Sequence, residues 1–245
     1  MPLVPNVAQR RLQPELIDQP DLDSWRHVQA LRGLERINFF SRSAGILWPP
    51  IRGLALETGV RRLTLLDIGT GAGDLPVALW RKARRAGIEL AIEACDISSR
   101  AIDYACRRAR RAGAPVRFFQ CNALDGDLPG GFDVVTSSLF LHHLDEAAAV
   151  RLLARMAASA RRMVLVNDLL RSRAGAVLAY LATRILTTCD VVHVDGPRSV
   201  EGAFSLDEVR GLCRRARLEH VTLRRRWPCR YLLTWKRAGQ PEASP

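Results

Sequence analysis

Short apolar runs alternate with amphipathic stretches through the middle of the chain. Five runs are continuously apolar, which is typical of strands buried on both faces, and lie at 64–67, 88–96, 116–120, 132–138 and 163–168. Helix-like stretches lie between them at 74–86, 98–111 and 145–160. Gly87 and Gly113 are expected to end the first two helices, and Ser98 to cap the second. This succession of strands and helices predicts a parallel α/β sheet with right-handed crossovers.

Three segments fall outside the alternation. The first 60 residues contain helix-like stretches at 25–34 and 51–58, with a break expected at Pro49-Pro50. Residues 172–204 insert an apolar helix and an irregular stretch, CDVVHVDGPRSVEGAF. A further helix (205–215) and two β-rich segments (218–226 and 230–235) follow, and the tail from Ala238 to Pro245 is expected to be disordered. The fold class is therefore a Rossmann-like, seven-stranded, mostly parallel sheet with helices on both faces, an N-terminal helical cap and an inserted helix after strand five.

Composition narrows the class of protein. The chain has 245 residues, of which 48% are hydrophobic and 25% charged, the balance of a globular protein. The longest apolar stretch, Ala174–Leu186, is interrupted by Arg184 and is shorter than the ~20 residues of a membrane span. Residues 1–11 lack the apolar region of a signal peptide. The six cysteines are scattered, without metal-ligand spacing, so we expect a cytoplasmic protein with no metal.

The chain is basic, with a net charge of +12. Such a charge admits a nucleic-acid partner. However, Lys82 and Lys236 are the only lysines, and this skew toward arginine is typical of high-GC coding. The arginine runs at 81–85, 107–111 and 214–217 fall on expected solvated helix faces, without interleaved aromatic residues. We therefore expect a solvated basic surface rather than a nucleic-acid interface.

A glycine-rich segment follows the first strand and opens the first helix: Asp67-Ile68-Gly69-Thr70-Gly71-Ala72-Gly73. Glycines permit a tight turn and let a ligand approach the backbone, beside the unpaired N–H groups of the helix terminus. A dinucleotide site favours GxGxxG, whereas the glycines here follow GxGxG after an acidic residue. The alternative interpretation is a closely packed turn with no ligand.

The chain resembles the class I S-adenosylmethionine-dependent methyltransferases over about residues 64–236. LLDIGTGAGD (65–74) is similar to their first motif, and EACDIS, FQCNALDGDLP and FDVVTSSLFLHHL follow in order. The resemblance implies S-adenosyl-L-methionine as cofactor, held by Asp67, Gly69, Gly71, Gly73, Asp96, Ile97, Asn122, Ala123 and Ser138. A carboxylate at Asp96 can accept both ribose hydroxyls, although a dinucleotide enzyme has an acid nearby too. Asn122-Ala123 departs mildly from the acidic residue and Ala that the family commonly has at the adenine.

The kind of acceptor follows from weaker resemblances. Enzymes that methylate amino groups of DNA bases have [DN]PP[YF] where this chain has Ser137-Ser138-Leu139-Phe140, so that subclass is not expected. Pro228-Cys229 is similar to the catalytic Pro-Cys of RNA cytosine-C5 methyltransferases, but it lies in a β-rich segment near the C-terminus and is interpreted as structural. Residues 36–49 are loosely similar to quinone-ring C-methyltransferases. NDLLRS and HVDGPRSVEGAF resemble methyltransferases found beside bacterial type III polyketide synthases. These resemblances imply a small phenolic or quinone-like acceptor in secondary metabolism, and leave O- versus C-methylation and oligomeric state open.

The resemblance to the class I methyltransferases divides the chain into an N-terminal helical cap (1–60) and a methyltransferase domain (61–245). Residues 172–204 are expected to form a lid over the acceptor. Two alternatives remain open. One is an RNA- or protein-directed methyltransferase that uses the basic surface. The other is a nicotinamide-dependent oxidoreductase, which the glycine spacing disfavours.

Histidines are the candidate bases, since neutral imidazole accepts a proton near neutral pH. His142 and His143 follow the fourth strand, where ligands of open α/β sheets bind, and His143 is slightly favoured. The alternative interpretation is that one of them only anchors the turn before the next helix. His193 in the lid is the third candidate, with a loop hydrogen bond to Asp195 as its alternative.

Further polar and apolar side chains are expected around the acceptor. After the fifth strand, Asn167, Asp168 and Arg171 are expected to orient the acceptor or to cap the next helix. Two sets complete the expected site, namely Arg36 and Asn38 at the methionine end of the cofactor, and Tyr180 and Leu181 along an apolar pocket.

Overall fold

The computed structural model of the chain describes residues 7–19, 21–40, 43–125 and 128–237. The strands are β1 (Arg62–Ile68), β2 (Glu89–Asp96), β3 (Val116–Gln120), β4 (Phe132–Ser138), β5 (Ala160–Leu169), β6 (Thr222–Arg226) and β7 (Arg230–Lys236). The helices are α1 (Ser24–Phe40), α2 (Ser43–Thr58), α3 (Asp74–Arg85), α4 (Ser99–Ala112), α5 (Glu146–Ser159), α6 (Arg173–Leu186), α7 (Asp190–Gly202) and α8 (Leu206–Arg215). The expected tail, 238–245, lies outside the described residues.

The seven strands form one sheet in the order β3-β2-β1-β4-β5-β7-β6. The first five are parallel, and β7 runs antiparallel to both β5 and β6. The order reverses between β1 and β4, so the loops after these strands diverge and open a crevice at the carboxyl edge. The predicted seven-stranded, mostly parallel α/β fold is confirmed.

Buried residues on the central strands point alternately to two apolar cores. Leu63 and Leu65 pack with α2 and α3 on one face, whereas Leu66 and Ile68 pack with α5 and α8 on the other. A strand side chain alternates between faces with a period of two, so continuous apolar runs indicate burial on both. These two layers cover the sheet on both faces.

The helix ends follow the expected local signals. The Ser98 side chain accepts a hydrogen bond from Ala101 N, and Asp145 caps α5 in the same way through Ala148 N. Gly113 ends α4 with a φ of 61°, in the left-handed region that favours glycine. Local chemistry therefore sets where these helices begin and end.

Two predicted irregularities are wrong. The break at Pro49-Pro50 is absent, because both prolines lie inside α2, whose apolar residues before and after them are buried on the sheet. That burial outweighs the hydrogen bonds that two prolines remove from a helix. The stretch 189–204 is largely helical, as α7. Gly196 there faces Thr183 so closely that a Cβ would clash, so this glycine permits helix contact rather than a turn.

A cap covers the carboxyl edge of the sheet. It contains α1, α6, α7 and the N-terminal strap, as we call residues 7–19, with a small apolar core that includes Leu22, Ala30, Val191 and Val192. By contrast, α2 packs against the sheet itself. Within the described residues, no helix is both long and apolar enough to cross a membrane.

Candidate active site

One cavity of about 1010 Å³ lies between the carboxyl edge of the sheet and the cap. Its walls come from the glycine-rich turn after β1, the ends of β2 and β4, helices α1 and α6, the strap, and the β6–β7 turn. Its volume is at the upper end for small-molecule sites, so it has room for two ligands side by side. The N-terminal segment, α6 and the β6–β7 turn, which fall outside the alternation of strands and helices, thus complete the walls of the cavity.

The three glycines of the turn have different roles. A Cβ on Gly69 would lie 2.7 Å from Phe140 Cγ, and one on Gly73 would lie 2.7 Å from Ala105 Cβ. A Cβ on Gly71 would meet nothing within 4 Å, because it would project into open space. All three have positive φ. Gly69 and Gly73 therefore allow close packing, and Gly71 leaves the cavity side of the turn clear for a ligand.

Asp96 ends β2 with its carboxylate tied to the backbone. Its Oδ2 accepts from Gly71 N at 2.8 Å and its Oδ1 accepts from Ser98 N at 2.9 Å. Each carboxylate oxygen has further accepting capacity. The Asp96 carboxylate, which lines the cavity, is thereby fixed beside Gly71 and can still receive hydroxyl donors from a ligand.

Asp67 lies under the glycine-rich turn and is buried. Burial raises its pKa to about 7, against hydrogen bonds that lower it, including one from Thr136 Oγ1 at 2.8 Å. The nearby charges of Asp74 and Asp96 act in the same direction as burial. Burial leaves the charged form of Asp67 poorly solvated, so a cationic ligand at this end of the cavity would favour that form.

Only some of the remaining residues expected at the cofactor line the cavity. Ile97 and Ser138 line the cavity, but Asn122 and Ala123 do not. Asn122 instead closes its own loop, since its Oδ1 accepts from Leu124 N at 3.0 Å. Gln120, which sequence reasoning missed, lines the cavity, and its Nε2 donates to Ile97 O at 2.9 Å. Its position at the end of β3 is the signal that points to it.

His142 is held in one orientation by Asp168. The His142 Nδ1 lies 2.6 Å from Asp168 Oδ1, and both side chains are buried. Burial opposes ionisation of Asp168, but the charge and hydrogen bond of His142, with the Leu169 N–H, outweigh it and hold the pKa of this carboxyl below its ordinary value. An ionised Asp168 keeps the proton on Nδ1, so Nε2 of His142 is the atom available to a ligand.

Glu15 completes a cluster with the two histidines. Its carboxylate oxygens lie 3.8 Å from His142 Nε2 and 3.9 Å from His143 Nε2, and the imidazole centroids are 4.3 Å apart. Ser199 Oγ donates a short hydrogen bond to Glu15 Oε1. All of these side chains line the cavity. Sequence reasoning missed Glu15 because nothing near it in the chain suggests chemistry.

The strap places Glu15 through contacts on either side of it. Leu16 N and Ile17 N donate to the two oxygens of Asp195, at 2.8 and 3.0 Å. Burial raises the pKa of Asp195 to about 6, against these two hydrogen bonds that lower it. Asp195 thus anchors the strap. The hydrogen bond between His193 and Asp195, which was the alternative interpretation of His193, is not observed.

Most of the other predicted residues do not line the cavity. His193 Nε2 is 2.8 Å from Thr187 O, and Arg171 forms a double hydrogen bond with Glu208. Asn167 Nδ2 donates to Ser138 Oγ at 2.9 Å from behind the cavity wall. Leu181 lines the cavity, whereas Tyr180 does not.

At the expected methionine end of the cofactor, Arg36 does not line the cavity, and its Nη1 is 3.4 Å from Leu186 O. The side chain of Asn38 lies outside what the structure describes.

Arg230 is a second residue that sequence reasoning missed. It lies at the start of β7, lines the cavity, and donates from Nη1 to Ser43 Oγ at 2.5 Å. Burial lowers its pKa to about 10, and the negative charges of Asp168 and Asp74 oppose that shift. Its pKa still leaves Arg230 cationic at neutral pH.

Known proteins share both the domain and the fold. Residues 65–162 match a family described as a methyltransferase domain, and no curated protein matches the sequence. Magnesium protoporphyrin IX methyltransferase (ChlM) from Synechocystis PCC 6803, with bound SAH, is 15% identical with a TM-score of 0.55, over 91% of each chain. A SAM-dependent methyltransferase from Aquifex aeolicus is 18% identical with a TM-score of 0.55, over 83% of this chain and 97% of that one.

Other solved chains are longer than this one. An O-methyltransferase family 2 protein from Planctomyces limnophilus DSM 3776, in complex with apigenin, is 17% identical with a TM-score of 0.54, over 80% of this chain and 61% of that one. This chain spans 57%, 50% and 59% of the length of three further matched structures.

The matched domain runs from β1 to the start of β5, and the sheet order extends the same architecture through β7. Residues 65–162 form a methyltransferase domain within the fold of the class I S-adenosylmethionine-dependent methyltransferases. The chain therefore contains a methyltransferase domain, as its motifs predicted. The cap, including the strap, lies outside the matched region.

Proposed function

We propose that this methyltransferase uses S-adenosylmethionine to methylate a hydroxyl group of a small, apolar acceptor of phenolic or quinone-like type. The observation that carries the proposal is the continuity of the cavity. The Gly71 turn and Asp96 line one part of it, and Glu15, His142 and His143 line another. The complex of the Planctomyces limnophilus protein with apigenin, which carries phenolic hydroxyls, agrees with an acceptor of this type.

The residues around the glycine-rich turn fit the cofactor. Gly71 keeps the approach to the turn clear, Asp96 has accepting capacity for the ribose hydroxyls, and Gln120 and Ile97 lie next to it. When bound there, the cofactor supplies a methyl group on a positively charged sulfur. The acidic groups Asp67 and Asp96 at this end of the cavity suit that charge.

His142 is the base that the geometry favours, although the sequence slightly favours His143. Asp168 orients its ring and holds the proton on Nδ1, which leaves Nε2 to accept the hydroxyl proton of the acceptor. Glu15, 3.8 Å from that nitrogen, stabilises the imidazolium that forms. A buried positive charge is costly without such a partner.

The rest of the rate comes from holding the acceptor in line and excluding water. The strap and α6 close the cavity on the cap side, so the acceptor meets the cofactor in apolar surroundings. These elements therefore position the reactants, and the histidine cluster moves the proton.

The test is a methyl-transfer assay with purified protein, S-adenosylmethionine and a panel of simple phenols and quinols, with mass spectrometry of the products. We expect a mass gain of one methylene unit, and His142→Ala to lower kcat by roughly 100-fold or more because the base is lost. His143→Ala is the comparison and is expected to cost less. Calorimetric titration with S-adenosylhomocysteine is expected to give equal affinity for wild type and both variants.

Three outcomes would contradict the proposal. Binding of NAD⁺ in place of S-adenosylhomocysteine would support the oxidoreductase alternative. If the activity of His142→Ala is close to that of wild type, His142 is not the base. Loss of activity with a chelator would also contradict it, since the ligand atoms of Glu15, His142 and His143 lie within 4.8 Å of one another, as in a metal site.

A further inference from the structure

Helix α6 presents an apolar wall to the cavity. The residues that line it recur at helical spacing and are hydrophobic or small, apart from Thr183: Gly175, Leu178, Ala179, Leu181, Ala182, Ile185 and Leu186. The Thr183 hydroxyl donates a hydrogen bond to Tyr180 O of the same helix, so its polar group has a partner within α6. No charged side chain of α6 lines the cavity.

The wall continues out of the cavity to the surface. Leu178, Leu181 and Ile185 are 39%, 49% and 77% exposed, although all three line the cavity. Trp227, in the β6–β7 turn, also lines it and is 74% exposed. Exposed hydrophobic side chains that also line a cavity indicate a binding surface for an apolar ligand at its mouth.

The nearby charge on α6 is directed away from this surface. The Arg184 guanidinium lies 3.6 Å from the centroid of the Tyr180 ring and donates to Tyr180 O at 3.1 Å. Neither residue lines the cavity. The charged groups that do line it belong to other elements: Glu15 to the strap, Asp67 and Asp96 to the sheet edge, Asp74 and Arg100 to the first turns of α3 and α4, and Arg230 to the start of β7.

From this arrangement we propose that the acceptor carries a long alkyl chain, which lies along α6 and leaves the cavity past Leu181 and Ile185. The inference rests on the proposed function, because it assigns the reactive ring to the histidine cluster and the chain to the mouth. The reactive ring and the alkyl chain belong to one acceptor molecule, because the apolar wall is continuous with the reaction cavity. A long chain on that acceptor would cover the exposed side chains of the wall.

The test compares phenols with methyl, pentyl and undecyl substituents. For wild type, kcat/KM is expected to rise with chain length, by up to about fourfold for each methylene that the wall buries. In Leu181→Glu, the ratio of kcat/KM for undecylphenol to that for methylphenol is expected to fall at least about tenfold, since a charge next to the chain must be desolvated.

Val177→Glu is the matched control. Val177 lies on the same helix and is 41% exposed, but it does not line the cavity. Both sites are exposed, so both variants are expected to fold. Val177→Glu is expected to keep the wild-type dependence on chain length.

Calorimetric binding of the same phenols, in the presence of S-adenosylhomocysteine, separates this inference from the proposed function. Chain-dependent binding without methyl transfer would support the apolar wall and overturn the proposed function. Methyl transfer that does not depend on chain length would do the reverse. If both glutamate variants instead lose binding to phosphatidylcholine vesicles, and the chain-length ratio does not change, the exposed wall is a membrane-docking surface and the inference is wrong.

Discussion

Glu15 brings a carboxylate into the cavity from a segment that is remote in sequence from the histidines it faces. It is buried, with Ser199 as a hydrogen-bond donor and two imidazoles within 4 Å. A carboxylate in such surroundings is stabilised when one of those imidazoles becomes cationic. Its function in the proposed reaction is therefore linked to the proton that the base accepts.

Glu15→Gln is expected to lower kcat by about tenfold, which corresponds to ~1.4 kcal/mol in the transition state. The amide keeps the size of the side chain but removes the charge opposite the imidazolium. Steady-state kinetics and S-adenosylhomocysteine titration check this, and cofactor affinity is expected to stay unchanged.

Glu201→Gln serves as the control, because Glu201 contacts Gln13 of the same strap at an exposed site. Equal losses of kcat in the two variants would mean that Glu15 acts only by holding the strap.

The strap is the element that brings Glu15 into place, and Arg10 fastens it. The Arg10 guanidinium donates to Gly202 O at 2.7 Å, to His142 O at 3.1 Å and to Leu144 O at 2.6 Å. It also lies 3.7 Å from the centroid of the Phe204 ring. One side chain thus joins the strap, the end of α7 and the turn that carries both histidines.

Arg10→Ala is expected to lower the free energy of unfolding by about 1–3 kcal/mol, because partly buried carbonyls lose their donor. Cleavage of the strap by thermolysin is expected to become faster, and KM for the acceptor to rise. Arg11→Ala is the control, since Arg11 is exposed and its contact with Glu201 uses the backbone N–H. An unchanged cleavage rate in Arg10→Ala would show that other contacts hold the strap.

For the whole molecule, the buried acidic groups make stability depend on pH. The pKa of Asp67 is about 7 in the folded chain, against an ordinary value of 3.8 that we take for the unfolded chain. The folded chain therefore binds a proton that the unfolded chain has lost. Consequently its contribution to stability is present below about pH 4 and declines as pH rises toward 7.

Asp67→Asn is expected to reduce this decline, by up to about 1.4 kcal/mol per pH unit. The amide oxygen can still accept from Thr136 Oγ1. Urea unfolding measured at several pH values between about 4 and 7 checks the slope. Asp195, with a pKa of about 6, contributes in the same direction, so some slope is expected to remain. Equal slopes in wild type and variant would show that Asp67 stays ionised in the folded chain.

The sequence alone determined the sheet and predicted much of the cavity lining around the glycine-rich turn. Continuous apolar runs depend only on which residues are buried on both faces, and the caps at Ser98 and Asp145 act over three residues, so both can be recognised locally. The glycine-rich turn and Asp96 lie at strand ends, where the fold class itself predicts a ligand. His142 and His143 were predicted for the same reason.

The tertiary structure alone decided what surrounds the histidines in the cavity. Glu15 reaches the histidines because Asp195 and Arg10 hold the strap across the cap, and Arg230 lines the cavity because β7 is antiparallel beside β5. The helix through Pro49-Pro50 is stabilised by burial against the sheet. These outcomes depend on contacts between segments far apart in the chain, whose free energy no local pattern contains. Sequence periodicity therefore predicted the scaffold, and long-range packing selected the residues of the site.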